Sequence, residues 1–265
     1  MIFDTHAHYD SEAFDEDREA VMETLRAQNI YAVNVGAALQ GARDSVSLAS
    51  RYPFIFAAAG IHPTEREGEM DETLEEIRAL CKDPRTVALG EIGLDYYWLP
   101  DEKEEQKRWF AAQLRLSREL DLPIIVHCRD AVQDTLDLVR RGHGGSTGGI
   151  IHAFSGSVEI AREYVKMGYY LGVGGVLTFK NGRVLREVVS EMPLERLVTE
   201  TDCPYLTPVP YRGKRNWSGN ISLVIDEIAR IKGTDRQETE DILWENAIAA
   251  YRLRERDLMP PLRKG

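Results

Sequence analysis

Cysteine is scarce. Cys81, Cys128 and Cys203 are an odd number, scattered, with no C-x-x-C pair, which argues against a disulfide framework or a cysteine-based zinc knot. No run approaches the ~20 apolar residues of a membrane span, and the first residues carry neither the charged region nor the apolar core of a secretion signal. A cytoplasmic protein with no membrane association and no obligatory protein partner is expected. Positive charge is also short: 33 Lys and Arg against 44 Asp and Glu leave a net charge of −11, which disfavours broad electrostatic adhesion to nucleic acid or anionic lipid. A polyanionic substrate must therefore be met by local charge, helped by bound cations. No low-complexity linker or composition break divides the chain, so residues 1–265 read as one domain.

Short apolar runs alternate with amphipathic segments from end to end. Strands are expected at 2–5, 32–35, 55–59, 87–90, 123–126, 149–151, 169–173 and 197–199, with helices near 15–28, 40–51, 71–82, 102–120, 130–141, 157–167, 181–190 and 220–232. Eight strand-helix units imply a closed (β/α)8 TIM barrel with helices outside. An open doubly wound sheet would carry a glycine-rich phosphate fingerprint after its first strand, and "DTHAHYD" occupies that place. An additional C-terminal helix is expected over 235–253, packed on the outside of the barrel or frayed, before Pro260 and Pro261 end it.

In such barrels the reacting groups come from the C-terminal ends of strands. The polar residues fall there repeatedly: His6 and His8 close the first run, His62 follows the third in "GIHP", and Glu91 the fourth in "GEIGLDYY". His127 ends the fifth in "IIVHCRD", His152 the sixth in "GIIHAFSG", and Glu200 and Asp202 the eighth in "LVTETDCPYL". His6 and His8, two apart on an extended strand, share a face. Taken singly, each has a plainer reading, Glu91 as a helix cap and Asp202 as a turn residue before Pro204. Together, four imidazoles (His6, His8, His127, His152) and two carboxylates (Glu91, Asp202) on one rim are electrostatically awkward unless a cation lies among them. One or two divalent metal ions are expected, two being the better count for six ligands, with Glu91 placed to bridge. Such mixed ligands suit zinc, manganese, iron, cobalt or nickel; magnesium, which prefers oxygen, stays among the candidates.

"DTHAH", "GIHP", "GEIGLDYY", "VHCRD", "IHAFSG", "ETDCPYL" and the basic "RGKRN", in that order over nearly the whole chain, resemble the TatD family of metal-dependent deoxyribonucleases. The resemblance implies a metal-dependent hydrolase that cleaves phosphodiester bonds in DNA, with His6, His8 and Asp202 on one metal, His127 and His152 on the other, and Glu91 joining them. After "RGKRN" family members often continue with an acidic residue and a proline; here Trp217-Ser218-Gly219 follows.

Metal-activated water would attack the phosphorus, with Asp202 orienting it or taking its proton. His62, outside the proposed ligands, would contact phosphate or leaving group, or else stabilise its turn. "YRGKRNW" gathers Tyr211, Arg212, Lys214 and Arg215 after the eighth strand, where guanidinium groups can clamp phosphate and rings can stack on bases; Lys180 and Arg183 would extend the patch. So few cations favour contact with a few nucleotides at a single-stranded DNA end, hence exonuclease action. Cys128 and Cys203, beside His127 and Asp202, face away from them if extended and read as packing residues. The alternatives are an amidohydrolase acting on a cyclic amide, ester or lactone, although Glu91 and the basic loop favour phosphate, and a metal-stabilised binding protein without catalysis.

Overall fold

The computed structural model describes residues 1–142, 145 and 147–259; His143 and the Pro260-Pro261 tail lie outside them. Among the described residues the strands are β1 (Ile2–Ala7), β2 (Ile30–Val35), β3 (Ile55–Ala59), β4 (Thr86–Asp95), β5 (Ile124–Arg129), β6 (Gly149–Ile151), β7 (Tyr170–Val173) and β8 (Leu197–Thr199). They form one parallel sheet in sequential order. The helices between them are α1 (Arg18–Ala27), α2 (Leu39–Arg51), α3 (Met70–Leu80), α4 (Lys103–Leu120), α5 (Val132–Gly142), α6 (Val158–Lys166) and α7 (Arg183–Glu191). Then follow α8 (Ile221–Lys232) and α9 (Arg236–Ala250). The architecture is the (β/α)8 barrel. Each strand-helix unit buries one helix stripe against the outside of the sheet, as with Trp109 and Phe110 of α4. No helix among the described residues is long and apolar enough to cross a membrane.

Three strands run further than their apolar cores suggest. The four-residue expectation for β4 becomes ten buried residues, so Glu91 lies inside the strand rather than beyond it. Gly90 and Gly93 look like strand breakers but serve close approach: a Cβ on Gly93, at φ +150°, would stand 1.9 Å from the His127 carbonyl oxygen. β1 and β5 likewise extend through His6 and His127. Strand backbone, not loop, therefore carries three of the rim residues.

β8 and β1 close the barrel largely through side chains. Just past β8, an isolated bridge joins Ala7 and Cys203, with His8 N donating to Cys203 O and Asp202 N to His6 O, both at 2.9 Å. Below it, Thr5 Oγ1 donates to Thr199 O at 3.0 Å and Thr199 Oγ1 to Phe3 O at 3.1 Å. Asp4 completes the seam, accepting from the backbone N–H groups of His6 and Thr201 and the hydroxyls of Thr201 and Ser218. Burial pushes its carboxyl up to about 7 against those four donors, which pull it down. Ser218, at the departure from the family pattern, thus has a defined place: its hydroxyl meets Asp4 and the Tyr9 phenol, each at 2.6 Å.

α9 does not lie on the outside or fray. Its Trp244, Ala247 and Ile248, with Tyr251 just beyond, join the inward side chains Phe3, Val33, Phe56, Ile125 and Val198 in one cluster. Trp244 meets Phe3 edge-on, ring centroids 5.7 Å apart, and the Tyr251 hydroxyl donates to Thr5 O at 2.6 Å. The helix plugs the mouth opposite the histidines. Asp235 starts it, accepting from Gln237 N and Glu238 N at 2.8 and 3.1 Å. Trp244→Ala is expected to lower stability by about 3–5 kcal/mol, the range for deleting a large buried ring. Urea unfolding checks it, and a loss under about 1 kcal/mol would mean that the plug is dispensable.

Candidate metal centre

All six expected ligands come together at the C-terminal mouth. His6 Nε2 stands 3.1 Å from His8 Nε2 and 3.3 Å from Glu91 Oε2. Asp202 Oδ1 lies 3.3 Å from His8 Nε2, 3.7 Å from His152 Nε2 and 3.9 Å from His6 Nε2. The His6 and His152 rings stack with centroids 3.5 Å apart. Asp202 sits at φ +57°, a left-handed conformation that Asp tolerates better than most residues. The cleft above also takes in His62, whose Nε2 is 3.8 Å from Glu91 Oε1 and whose Nδ1 pairs with Thr64 Oγ1 at 2.7 Å.

Outer partners settle which imidazole nitrogens face inward. His8 Nδ1 donates to Val35 O at 2.8 Å, and His152 Nδ1 to Glu200 Oε2 at 3.1 Å. In the neutral ring each then presents a bare Nε2 to the centre. Glu200, noted at the rim without a role, is held behind His152 because Ala153 N also donates to it, at 2.6 Å. His127 takes a different posture: Nδ1 is 2.9 Å from Glu91 Oε1 and Nε2 is 3.0 Å from Asp95 Oδ2. The geometry thus groups His6, His152 and Asp202; His6, His8 and Glu91; and His62, Asp95 and His127. His152 thus falls within reach of His6 and Asp202, whereas the family resemblance pairs it with His127. Asp95 was not singled out, although Glu91, Gly93 and Asp95 alternate along β4 and share its inward face.

Mutual electrostatics shift these groups. Burial raises Glu91, but the imidazoles of His6 and His152 outweigh it and hold the carboxyl well below the usual range. Burial lowers His8, yet Asp202 and Glu91 lift it to about 9. His152, likewise lowered by burial, is lifted by Glu200 and Glu91 to about 10. His62 falls to about 4, chiefly through burial. Two imidazole nitrogens 3.1 Å apart over a carboxylate form a donor set that asks for a cation in its midst; His6 Nδ1, on the other side of the ring, is buried and has no partner among the described residues. A divalent metal fits these residues.

The basic loop borders a neighbouring groove that shares Tyr205 and Leu206 with the metal cleft. Arg212 lies over the Phe179 ring at 3.6 Å and Lys214 near the Tyr211 ring at 5.7 Å. Among the described residues neither cation forms an ion pair. Arg215 departs from the expected phosphate clamp. Its guanidinium holds Asp17 through bonds of 2.6 and 2.7 Å and the Ala13 carbonyl at 2.7 Å, so it fastens the loop to the start of α1. Cys203 is buried and Cys128 half-buried, with both thiols pushed up by burial, as packing residues should be.

A parallel barrel carrying converging imidazoles and carboxylates at its C-terminal mouth defines a metal-dependent hydrolase. Comparison with known proteins is specific: the family model described as TatD related DNase matches residues 3–252, and the chain belongs to that family. It is 42% identical over 254 residues to the uncharacterized metal-dependent hydrolase YabD of Bacillus subtilis, covering 96% of this chain and 100% of that one. A protein of Citrobacter koseri described as a 3'-5' ssDNA/RNA exonuclease, TatD, is 34% identical, covering 89% of this chain and 93% of its own. The crystal structure of the TatD homologue YJJV from Escherichia coli superposes with a TM-score of 0.88 at 29% identity, over 95% of this chain and 98% of that one.

Proposed function

We propose that the protein hydrolyses phosphodiester bonds in DNA, working inward from a single-stranded end. The observation that carries this reading is the pairing of a buried imidazole–carboxylate cluster with a rim of uncompensated cations. The whole protein is acidic and most of its surface arginines are paired, yet among the described residues Arg212 and Lys214, in the groove next to the cleft, form no ion pair. The cleft has a volume of about 810 Å³, toward the upper end of the ~300–1,000 Å³ usual for ligand sites, and is open to solvent on its outer side, so a strand can lead away from it. A polymer end fits it. His6, His8, Glu91, His127, His152 and Asp202 would hold one or two divalent cations, with magnesium, manganese and zinc as candidates. Bound there, such ions polarise the phosphoryl oxygens and lower the pKa of water.

The chain's own groups do the rest. Asp202, 19% exposed at its side chain, reaches the cleft and would orient a water and receive its proton. His62, neutral at pH 7 because burial holds it at about 4, can hydrogen-bond phosphate or leaving group without adding charge. Arg212 and Lys214 would position the chain behind the scissile bond, with Tyr211 beside them.

Glu200 orients His152, which makes Gly172 informative. A Cβ there would stand 2.3 Å from Glu200 Oε2. Gly172→Ala is expected to push Glu200 off His152 and weaken manganese binding by about 10–100-fold, as loss of an outer carboxylate does. Calorimetric titration measures this, and unchanged affinity would deny Glu200 its orienting role.

End-labelled linear and circular single-stranded DNA, incubated with a panel of divalent cations, tests the reading. Stepwise shortening of linear strands from one end, with circles untouched, is expected. Circles cut as fast as linear strands would overturn the end-directed mode, and turnover of amides or lactones alone would overturn nuclease action.

A further inference from the structure

Trp98, on the loop between β4 and α4, lines the same cleft as His127, Asp95 and Arg129. It is 62% exposed and its neighbour Tyr97 53% exposed, unusual for two large rings side by side. Yet the pair is held. Tyr97 meets Trp98 edge-on, with centroids 5.0 Å apart and planes at 85°. The Arg129 guanidinium lies 4.0 Å from the Tyr97 ring centre and 5.5 Å from that of Trp98. Among the described residues Arg129 forms no ion pair, so its charge faces the cleft uncompensated.

Asp95 ties this ledge to the metal centre. Its Oδ1 accepts from Tyr97 N at 3.0 Å and Trp98 N at 2.9 Å, while Oδ2 meets His127 Nε2. Gln106 locks the same turn, accepting from Asp95 N at 2.7 Å and donating to Asp95 O at 2.9 Å. One carboxylate thus sets the distance between an exposed indole and an imidazole of the metal cluster. An exposed aromatic face, braced by a second ring and flanked by a free guanidinium, suits one ligand chemistry: a flat heterocycle joined to phosphate.

We infer that Trp98, braced by Tyr97 and Arg129, is the stacking subsite for an unpaired nucleobase next to the scissile phosphate, registered to the metal centre through Asp95. Only an unstacked base offers its face to the indole, which restricts the site to single-stranded ends. The inference rests on the proposed phosphodiester hydrolysis and adds what selects the substrate.

The full-length protein with manganese is assayed on an oligothymidylate and on an oligomer of the same length whose sugars carry no bases. Wild type is expected to show a KM about tenfold lower for the base-bearing strand, the scale of one base-aromatic stack. Trp98→Ala should raise that KM to the baseless value and leave the baseless strand unaffected, while Trp98→Phe should keep most of the preference. Equal KM values for both polymers in wild type, or a Trp98→Ala variant that still prefers the base-bearing strand, would overturn the subsite. So would equal losses on both polymers, which would make Trp98 a mere shape element. If wild type cleaves neither polymer with any cation, it is the nuclease reading that falls.

Discussion

Asp202→Asn is expected to lower metal-dependent hydrolysis by about 10³-fold, within the range a positioned acid–base group contributes, while leaving the fold intact. The substitution isolates charge from backbone. At φ +57° Asn is as well tolerated as Asp, and the Asp202 N–H bond to His6 O at 2.9 Å does not involve the side chain. What changes is the oxygen between His8 and His152, at 3.3 and 3.7 Å, which becomes neutral and can no longer take a proton. Without metal the lost anion should also let His8 and His152 titrate lower, because Asp202 is among the groups that raise both. Steady-state rates with an unfolding curve for each variant check this. Full activity would remove Asp202 from the chemistry, and a collapsed melting curve would make the variant uninformative about charge, in which case Asp202→Ser is the next comparison.

Loading metal is expected to release at least two protons at pH 7 and to raise the melting temperature by roughly 10 °C at saturation. His8 at about 9 and His152 at about 10 are both protonated in the free protein at that pH, and a ligating imidazole must be neutral. Affinity should therefore climb with pH by roughly a hundredfold per unit below about 9. Stability of the metal-free protein runs the other way. Both folded values lie above the ~6.5 of an unfolded histidine, so their contribution is full below pH 6.5 and is lost as pH rises through about 9 to 10. Glu91 and Asp202 are depressed in the folded state, so theirs is full above about pH 4 and is lost in acid. The metal-free melting temperature should fall from pH 6.5 to 10 while the loaded protein's holds. Calorimetry in buffers of differing ionisation enthalpy counts the protons; none released would mean that cations bind elsewhere.

Much of the barrel is legible in the sequence because each strand core is an apolar run bounded by turn residues, with a helical period between. The six converging imidazoles and carboxylates are legible for the same reason, since they fall at the ends of those runs. Less visible is where strands stop. Gly90 and Gly93 look like breaks, and only the closeness of β5 shows why strand geometry continues past them. α9 escapes for another reason: Leu243, Trp244, Ala247 and Ile248 are all buried, yet nothing in their spacing says that they face a barrel interior. Partners far apart along the chain are the hardest to read. Arg215 binds Asp17 across 198 positions, and Glu200 reaches His152 across 48 only because residue 172 has no side chain. Asp95 was within reach, two residues past Gly93 on the inward face, but a carboxylate before three aromatics resembles a turn residue, which it also is.

The most direct measurement is anomalous diffraction from crystals grown with excess manganese. Manganese is expected within about 2.0–2.3 Å of the inward nitrogens of His6 and His8 and of oxygens from Glu91 and Asp202. A mouth without anomalous density at saturating manganese, or density confined to surface carboxylates, would contradict a metal centre built from these side chains.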